Sequence, residues 1–325
     1  MGKKSRRTLY LERSKSYVAA VWNGWTVPDG RFAPSPSAPL HVGNLRTALA
    51  AWLFARHDQA RFTLRIEDLD RERCSSRYEA SQIDDLARIG LDWDGEVVRQ
   101  SQRTELYRDA LDRLVADGRV YPCWCTRAEV RAASSAPHGP LPEGAYAGTC
   151  RELTTSQRAH LQRSERPNAL RLDARGEEIT FEDRYCGEVS TAVDDFVLWR
   201  ADQTPAYNLA VVVDDSDQEI GEVVRGADLL DTTARQLLVA RLLGYETPLY
   251  AHIPLVLGAD GNRLAKRHGS VTLSDLALLG RSESDVLSWI ATSLGLAERG
   301  EIVTPKGLVA RFEPDQMPLE PSVFS

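Results

Sequence analysis

Three groups of residues in this chain have types and spacings that suit chemistry. The first is residues 31–44, Arg-Phe-Ala-Pro-Ser-Pro-Ser-Ala-Pro-Leu-His-Val-Gly-Asn. Its prolines stiffen a loop between a short strand and a helix. This sets His41 and Gly43 at a helix N-terminus, where backbone N–H groups and the helix dipole favour phosphate. An imidazole there can donate a hydrogen bond to charge developing on an α-phosphate, and a glycine lets a flat adenine approach the backbone. The tripeptide His41-Val42-Gly43 alone also fits a Pro-rich turn with a capping His; the extended string is far more specific. The second group is Arg263-Leu264-Ala265-Lys266-Arg267-His268-Gly269, which follows the turn at residues 258–262. Cations on a Gly-flanked loop suit a clamp over a polyphosphate, with Lys266 the main candidate. The third is Cys123-Trp124-Cys125, then Tyr146 and Cys150. Three thiols with a fourth donor beside the last can close a tetrahedral zinc site. Phenolate is a rare zinc ligand, and His138 or His160 would be the ordinary chemical choice. The remaining cysteines, Cys74 and Cys186, read as inert.

The elements that must position these groups follow from hydrophobic spacing. A strand at residues 31–33 leads through the proline loop into a helix with apolar positions Leu45, Ala48, Leu49, Trp52 and Leu53. Residues 62–66 alternate as a strand, and after an acidic loop residues 78–89 have helical spacing. Alternating strands and helices predict a parallel sheet. Around Tyr121 the character changes to the Cys-containing segment and then a low-complexity loop rich in Ala, Ser, Pro and Gly. The alternation resumes near 194–199 and 207–213, followed by a helix at 232–243 and another at 283–294. The expected fold is α/β, a Rossmann-type doubly wound parallel sheet with an inserted zinc-binding subdomain and a short C-terminal helical region. Its divisions are an N-terminal extension at 1–30, a first half-sheet at 31–120, the insertion at 121–190, a second half-sheet at 191–256, and the basic loop with C-terminal helices at 257–325.

Composition bounds what these groups can serve. The 325 residues are 42% hydrophobic and 27% charged, which is the profile of a globular protein with an ample core. Apolar runs such as Leu209–Val213 fall far short of the ~20 residues of a membrane helix. The basic start lacks the apolar stretch of a secretory signal, so a cytoplasmic location is expected. Forty basic against 47 acidic residues give a net charge of −7, which argues against indiscriminate nucleic-acid binding and leaves room for a local basic patch. Five cysteines in a reducing compartment argue against a disulfide framework.

Taken together, the two phosphate-directed motifs resemble those of the class I aminoacyl-tRNA synthetases, in the glutamyl branch. The resemblance covers nearly all of residues 31–280. The family signatures are His-Ile-Gly-His and Lys-Met-Ser-Lys-Ser; here they stand as His41-Val42-Gly43-Asn44 and Arg263-Leu264-Ala265-Lys266-Arg267. Asn44 thus replaces the second His and Ala265 replaces the Ser. The resemblance implies ATP binding by His41, Gly43, Asn44 and Lys266, with His41, Gly43 and Lys266 catalytic. It places Arg31, Phe32, Ala33, Pro34, Ser35, Glu67, Tyr207 and Arg225 in a glutamate pocket. The chemistry agrees: a dicarboxylic amino acid needs guanidinium forks for its carboxylates and an acid for its ammonium. Arg225 is assigned to the side-chain carboxylate. On the same ground Tyr146 joins Cys123, Cys125 and Cys150 as ligands of one structural Zn²⁺.

After Arg267 the chain leaves less than the ~100 residues that a helical anticodon-binding domain would need. The resemblance is therefore to the shortened glutamyl paralogues that attach glutamate to queuosine in the anticodon of tRNA(Asp). It implies two steps without a membrane: L-glutamate is activated by Mg²⁺-ATP without tRNA, then transferred to the queuosine of tRNA(Asp). A monomer is expected. A catalytically silent RNA-binding or regulatory paralogue is the alternative, and a small-molecule nucleotidyltransferase is a further one.

Overall fold

The computed structural model describes residues 28–134, 145–264 and 271–324. Most of the proposed N-terminal extension, together with His138, Ala265, Lys266 and Arg267, lies outside the described residues.

Strand β1 (Gly30–Phe32) is followed by helix α1 (Val42–His57) and strand β2 (Phe62–Ile66), then by α2 (Ser76–Arg88) and the short β3 (Val98–Arg99). β1 pairs parallel with β2, and β2 pairs parallel with β3. The second unit contains β6 (Glu178–Asp183), β7 (Gly187–Ala192), α6 (Tyr207–Asp217), β9 (Glu222–Gly226), α7 (Leu230–Leu243) and β10 (Leu249–Ile253). Here β10 pairs parallel with both β9 and β6, while β7 is antiparallel to β6. A parallel bridge from Asp29 to Ile220 joins the two units, and the Asp29 carbonyl accepts from the N–H groups of both Gly221 and Glu222. Gly221 is required at this junction, because a Cβ there would sit 2.6 Å from the Pro28 Cβ.

The strand order is therefore β3-β2-β1-β9-β10-β6, with the chain reversing its direction of growth between β1 and β9. This mixed α/β arrangement with parallel sheets is consistent with a Rossmann-like fold. In such sheets ligands bind at the carboxyl ends of the strands, where the order reverses. Helix α1 is apolar nearly all round, as a helix buried on every side must be. It packs on β1, β2 and β9, and also against α9 (Glu283–Ser293) and α10 (Pro305–Val309). Arg46, buried in α1, donates to the Pro254 carbonyl at 2.7 Å and to the Ser293 hydroxyl at 3.0 Å, fastening the C-terminal helices to the sheet.

The apolar run at 209–213, where the sequence has the alternation of strands and helices resume, belongs to helix α6; so short a run has no periodicity that separates strand from helix. One region differs from expectation. The hairpin β6–β7, which the sequence places in the insertion at 121–190, joins the parallel sheet through β10. A separate antiparallel sheet forms from β4 (Val120–Cys123), β5 (Ala169–Leu172) and β8 (Val197–Trp199), accompanied by α4 (Arg127–Ser134) and α5 (Thr155–Arg163). Strand β11 (Val256–Leu257) pairs in parallel with β12 (Ser322–Val323), and α8 (Leu273–Leu278) precedes α9. Among the described residues no helix is long and apolar enough to cross a membrane.

Candidate active site

The phosphate-directed residues sit where β1 ends and α1 begins. His41 is the N-cap of α1: its Nδ1 accepts from the Asn44 N–H at 3.2 Å, and the Asn44 Oδ1 accepts from the His41 N–H at 3.1 Å. Asn44 thus completes a reciprocal capping box. With Nδ1 engaged as an acceptor, the neutral ring carries its proton on Nε2. Burial, assisted by the nearby Arg263 charge, pushes the His41 pKa down to about 4, so the ring is neutral at physiological pH. Gly43 is needed beside it, since a Cβ there would lie 3.0 Å from both Cε1 and Nδ1 of His41.

The proline loop is strapped in place. Pro34 O accepts from the Glu67 N–H, Pro36 O accepts from the Ser75 N–H, and the buried Gln82 amide donates to the Ser35 and Ala38 carbonyls. The two ends of the basic loop are anchored at the same place: Leu264 N–H donates to Val256 O, and Val271 O accepts from Val42 N–H. In sequence Lys266 falls between these two ends, outside the described residues.

A cleft of about 960 Å³ opens at the carboxyl ends of β1 and β9. His41, Gly43 and Asn44 line it together with Arg31, Phe32, Ala33, Pro34, Ser35, Glu67, Tyr207 and Arg225. Every expected substrate residue among the described ones is therefore brought to one cavity. Arg31 forks onto Asp215 through Nε at 3.2 Å and Nη2 at 3.4 Å. Arg65, fully buried, reaches Asp215 at 2.7 Å and Glu67 at 3.6 Å. Burial pushes the Glu67 pKa up to about 7, against the pull of Arg65 and Arg31. Tyr207, at the start of α6, has its phenol pKa raised by burial and by the charge of Glu67. Arg225, 4% exposed, donates from Nε to His252 Nε2 at 3.0 Å and from Nη2 to Thr233 Oγ1 at 2.8 Å. Its Nη1 has no hydrogen-bond partner.

Cys123, Cys125 and Cys150 place their sulfurs within 4.8 Å of one another. The Tyr146 hydroxyl lies 3.4 Å from the Cys123 sulfur and 3.5 Å from that of Cys125, and it accepts from the Cys150 N–H at 2.8 Å. His160 lies on the exposed side of α5 and is not part of this group. Three sulfurs and a phenol oxygen form a donor set that could hold a tetrahedral metal ion. Cys123, Tyr146 and Cys150 also belong to a small core of five buried residues with Tyr121 and Trp124, and the partly buried Cys125 packs against it. A core this small gains from a metal staple.

The family model for the catalytic domain of class I tRNA synthetases (E and Q) matches residues 29–324. The chain belongs to this family. It is accordingly an enzyme of the synthetase, or ligase, class. A glutamyl-Q tRNA(Asp) synthetase of Nocardia farcinica is 52% identical, with 91% of this chain and 93% of the relative covered. The enzyme of that name from Symbiobacterium thermophilum is 48% identical, covering 90% and 94%. Glutamate–tRNA ligase 2 of Syntrophus aciditrophicus is 40% identical, covering 92% of this chain and 64% of the ligase. Among solved structures, a glutamate tRNA ligase from Elizabethkingia meningosepticum in complex with its amino acid is similar at a TM-score of 0.78. It is 26% identical, with 92% of this chain and 67% of that one covered.

Reading this synthetase from sequence missed the residues that hold the cleft's charges in place. Asp215 and Asp214 follow directly on the apolar run of α6, and His252 interrupts the otherwise apolar strand β10. A polar group inside an apolar pattern is the one signal that could have flagged them, because a buried polar group must be paired.

Proposed function

We propose that this synthetase activates L-glutamate with ATP, in the absence of tRNA, and transfers it to queuosine in the anticodon of tRNA(Asp). The observation that carries the reading is the single cleft in which a helix N-terminus with a neutral His41 meets Arg31, Glu67, Tyr207 and Arg225. The 48–52% identity to enzymes named glutamyl-Q tRNA(Asp) synthetase supports the second step.

In the first step the glutamate α-carboxylate attacks the α-phosphate of ATP, forming glutamyl-adenylate and releasing pyrophosphate. Glu67 holds the substrate ammonium, and Arg225, whose side chain lines the cleft, takes the side-chain carboxylate. The His41 Nε2–H donates to the α-phosphate as charge grows on it, and the α1 N-terminus adds its dipole. Lys266 supplies a cation from the basic loop. Mg²⁺ bound to the ATP substrate would offset charge on the departing pyrophosphate. In the second step a queuosine hydroxyl attacks the adenylate carbonyl and AMP leaves. Cys123, Cys125, Cys150 and Tyr146 would hold a structural Zn²⁺ in the inserted subdomain. Asn44, where the family has a second His, serves the capping box and keeps His41 oriented, which fits an active enzyme.

The test is ATP–pyrophosphate exchange by the purified protein with L-glutamate and no tRNA, with L-glutamine and L-aspartate as controls, followed by transfer of labelled glutamate to tRNA(Asp) with and without queuosine. Glutamate-dependent exchange and queuosine-dependent transfer are expected. Absence of exchange, with or without tRNA, would return the chain to a silent paralogue.

A further inference from the structure

Arg225 differs from the other two buried arginines at the cleft in what it is paired with. Arg31 and Arg65 both reach the Asp215 carboxylate, so their charges are compensated inside the protein. Arg225 makes no ion pair with a carboxylate among the described residues; its partners are an imidazole nitrogen and a threonine hydroxyl. A guanidinium 4% exposed, held by two neutral acceptors and lying 5.2 Å over the Tyr250 ring, with one nitrogen unpartnered, is a buried charge with no counter-charge beside it. Such a charge is costly until an anion arrives.

We propose that His252 and Asp183 are positioning residues that make the cleft select a carboxylate over a carboxamide at the far end of its amino acid. This rests on the reading that Arg225 binds that end. The His252 Nδ1 lies 2.6 Å from Asp183 Oδ2. A carboxylate only accepts, so it fixes the ring proton on Nδ1 and leaves the Nε2 lone pair facing the Arg225 Nε–H. The opposite tautomer would set two N–H donors against each other. Asp183 is itself fixed, accepting from the backbone N–H groups of Tyr185 at 3.0 Å, Cys186 at 2.9 Å and His252 at 3.1 Å. Thr233 on α7 fixes the second edge of the guanidinium. The interposed imidazole transmits orientation from Asp183 to Arg225 without placing a negative charge on it. If Asp183 touched Arg225 directly, the charge that recruits the substrate carboxylate would be cancelled. Burial holds the His252 pKa below its ordinary value, which keeps this spacer neutral at physiological pH.

The experiment compares His252→Gln with His252→Glu, near-isosteric variants that offer Arg225 a neutral or a charged acceptor. ATP–pyrophosphate exchange gives KM for L-glutamate, L-glutamine and ATP, and a thermal melt reports folding. His252→Gln is expected to keep its glutamate KM within about threefold of wild type, as loss of one neutral hydrogen bond allows. His252→Glu is expected to raise the glutamate KM by about tenfold or more and to narrow the preference over glutamine, with the ATP KM little changed. If both variants melt earlier but keep the wild-type ratio of glutamate to glutamine, the dyad is merely structural and the proposal is overturned. Should His252→Glu not fold, Thr233→Val takes its place; a glutamate KM raised about fivefold supports the proposal and an unchanged one overturns it. A wild-type protein without glutamate-dependent exchange would instead overturn the functional reading itself.

Discussion

A carboxylate that must meet an ammonium has to be ionised, and Glu67 is placed where ionisation is finely balanced. Burial raises its pKa to about 7 while Arg65 and Arg31 pull it down. Below that pH the free enzyme holds a protonated Glu67 and loses its partner for the substrate ammonium; above it the carboxylate is charged and binding is complete. The expected outcome is a kcat/KM for glutamate that falls by about tenfold per unit below pH 7 and levels off above it. His41, pushed down to about 4, does not titrate in that window. In Glu67→Gln the inflection should vanish and the glutamate KM should rise throughout; persistence of the inflection near 7 in that variant would assign it to another group. Arg31, His41, Gly43, Glu67, Tyr207 and Arg225 could be picked out of the sequence because each stands in a short string that resembles a family motif, and the structure lines one cleft with them. Asp215, His252 and Asp183 were not, because their contacts join positions such as 31 with 215 and 183 with 252, and nothing local marks a partner at that separation.

Among the elements, helix α1 was readable from its apolar spacing and from His41 at its start, α2 from its spacing alone, and α9 was expected over 283–294. The hairpin β6–β7 was read as part of the insertion, and the structure places it in the parallel sheet. Its strands pair with each other over six residue pairs, but β6 meets β10 through one, Tyr250 with Asp183, so its sheet membership is decided by tertiary contact alone. The cysteine-bearing element is where composition and structure agree most directly. The spacing of Cys123, Cys125, Tyr146 and Cys150 brings four donors to one point, beside a core of only five buried residues. Elemental analysis of the purified protein should find about one zinc per chain, as a closed tetrahedral site of this ligand count implies. Cys123→Ala should lose that zinc and render the segment around residues 120–172 the first to be cut by protease. Zinc-free wild-type protein would remove the metal from the account.

At the scale of the whole molecule, the two halves of the parallel sheet are joined along the same line that carries the cleft. The backbone seam is the Asp29 carbonyl shared by Gly221 and Glu222, and the side-chain seam is Asp215, donated by α6 to Arg31 of β1 and Arg65 of β2. Site and junction are therefore one structure: the arginine that lines the cleft is held by the carboxylate that ties the halves together. Asp215→Ala would leave Arg31 without a carboxylate at ion-pair distance among the described residues, while Arg65 keeps Glu67 at 3.6 Å and Asp214 at 3.7 Å. The expected cost is about 3 kcal/mol, at the lower end for breaking a buried ion pair because of those remaining partners. Urea unfolding should show the loss as a lower midpoint with the slope unchanged. The pH dependence has a definite sign. Burial alone would raise the Asp215 pKa, but Arg31 and Arg65 outweigh it and hold the group below the ordinary carboxylate value. Its contribution is thus fully present above the unfolded value of about 3.9 and is lost only as the pH falls through the lower folded value. The stability gap between wild type and Asp215→Ala should accordingly stay constant from neutral pH down to about 5 and close only in stronger acid. A gap that closed near pH 7 would trace the seam to Glu67, whose titration lies there, and not to Asp215.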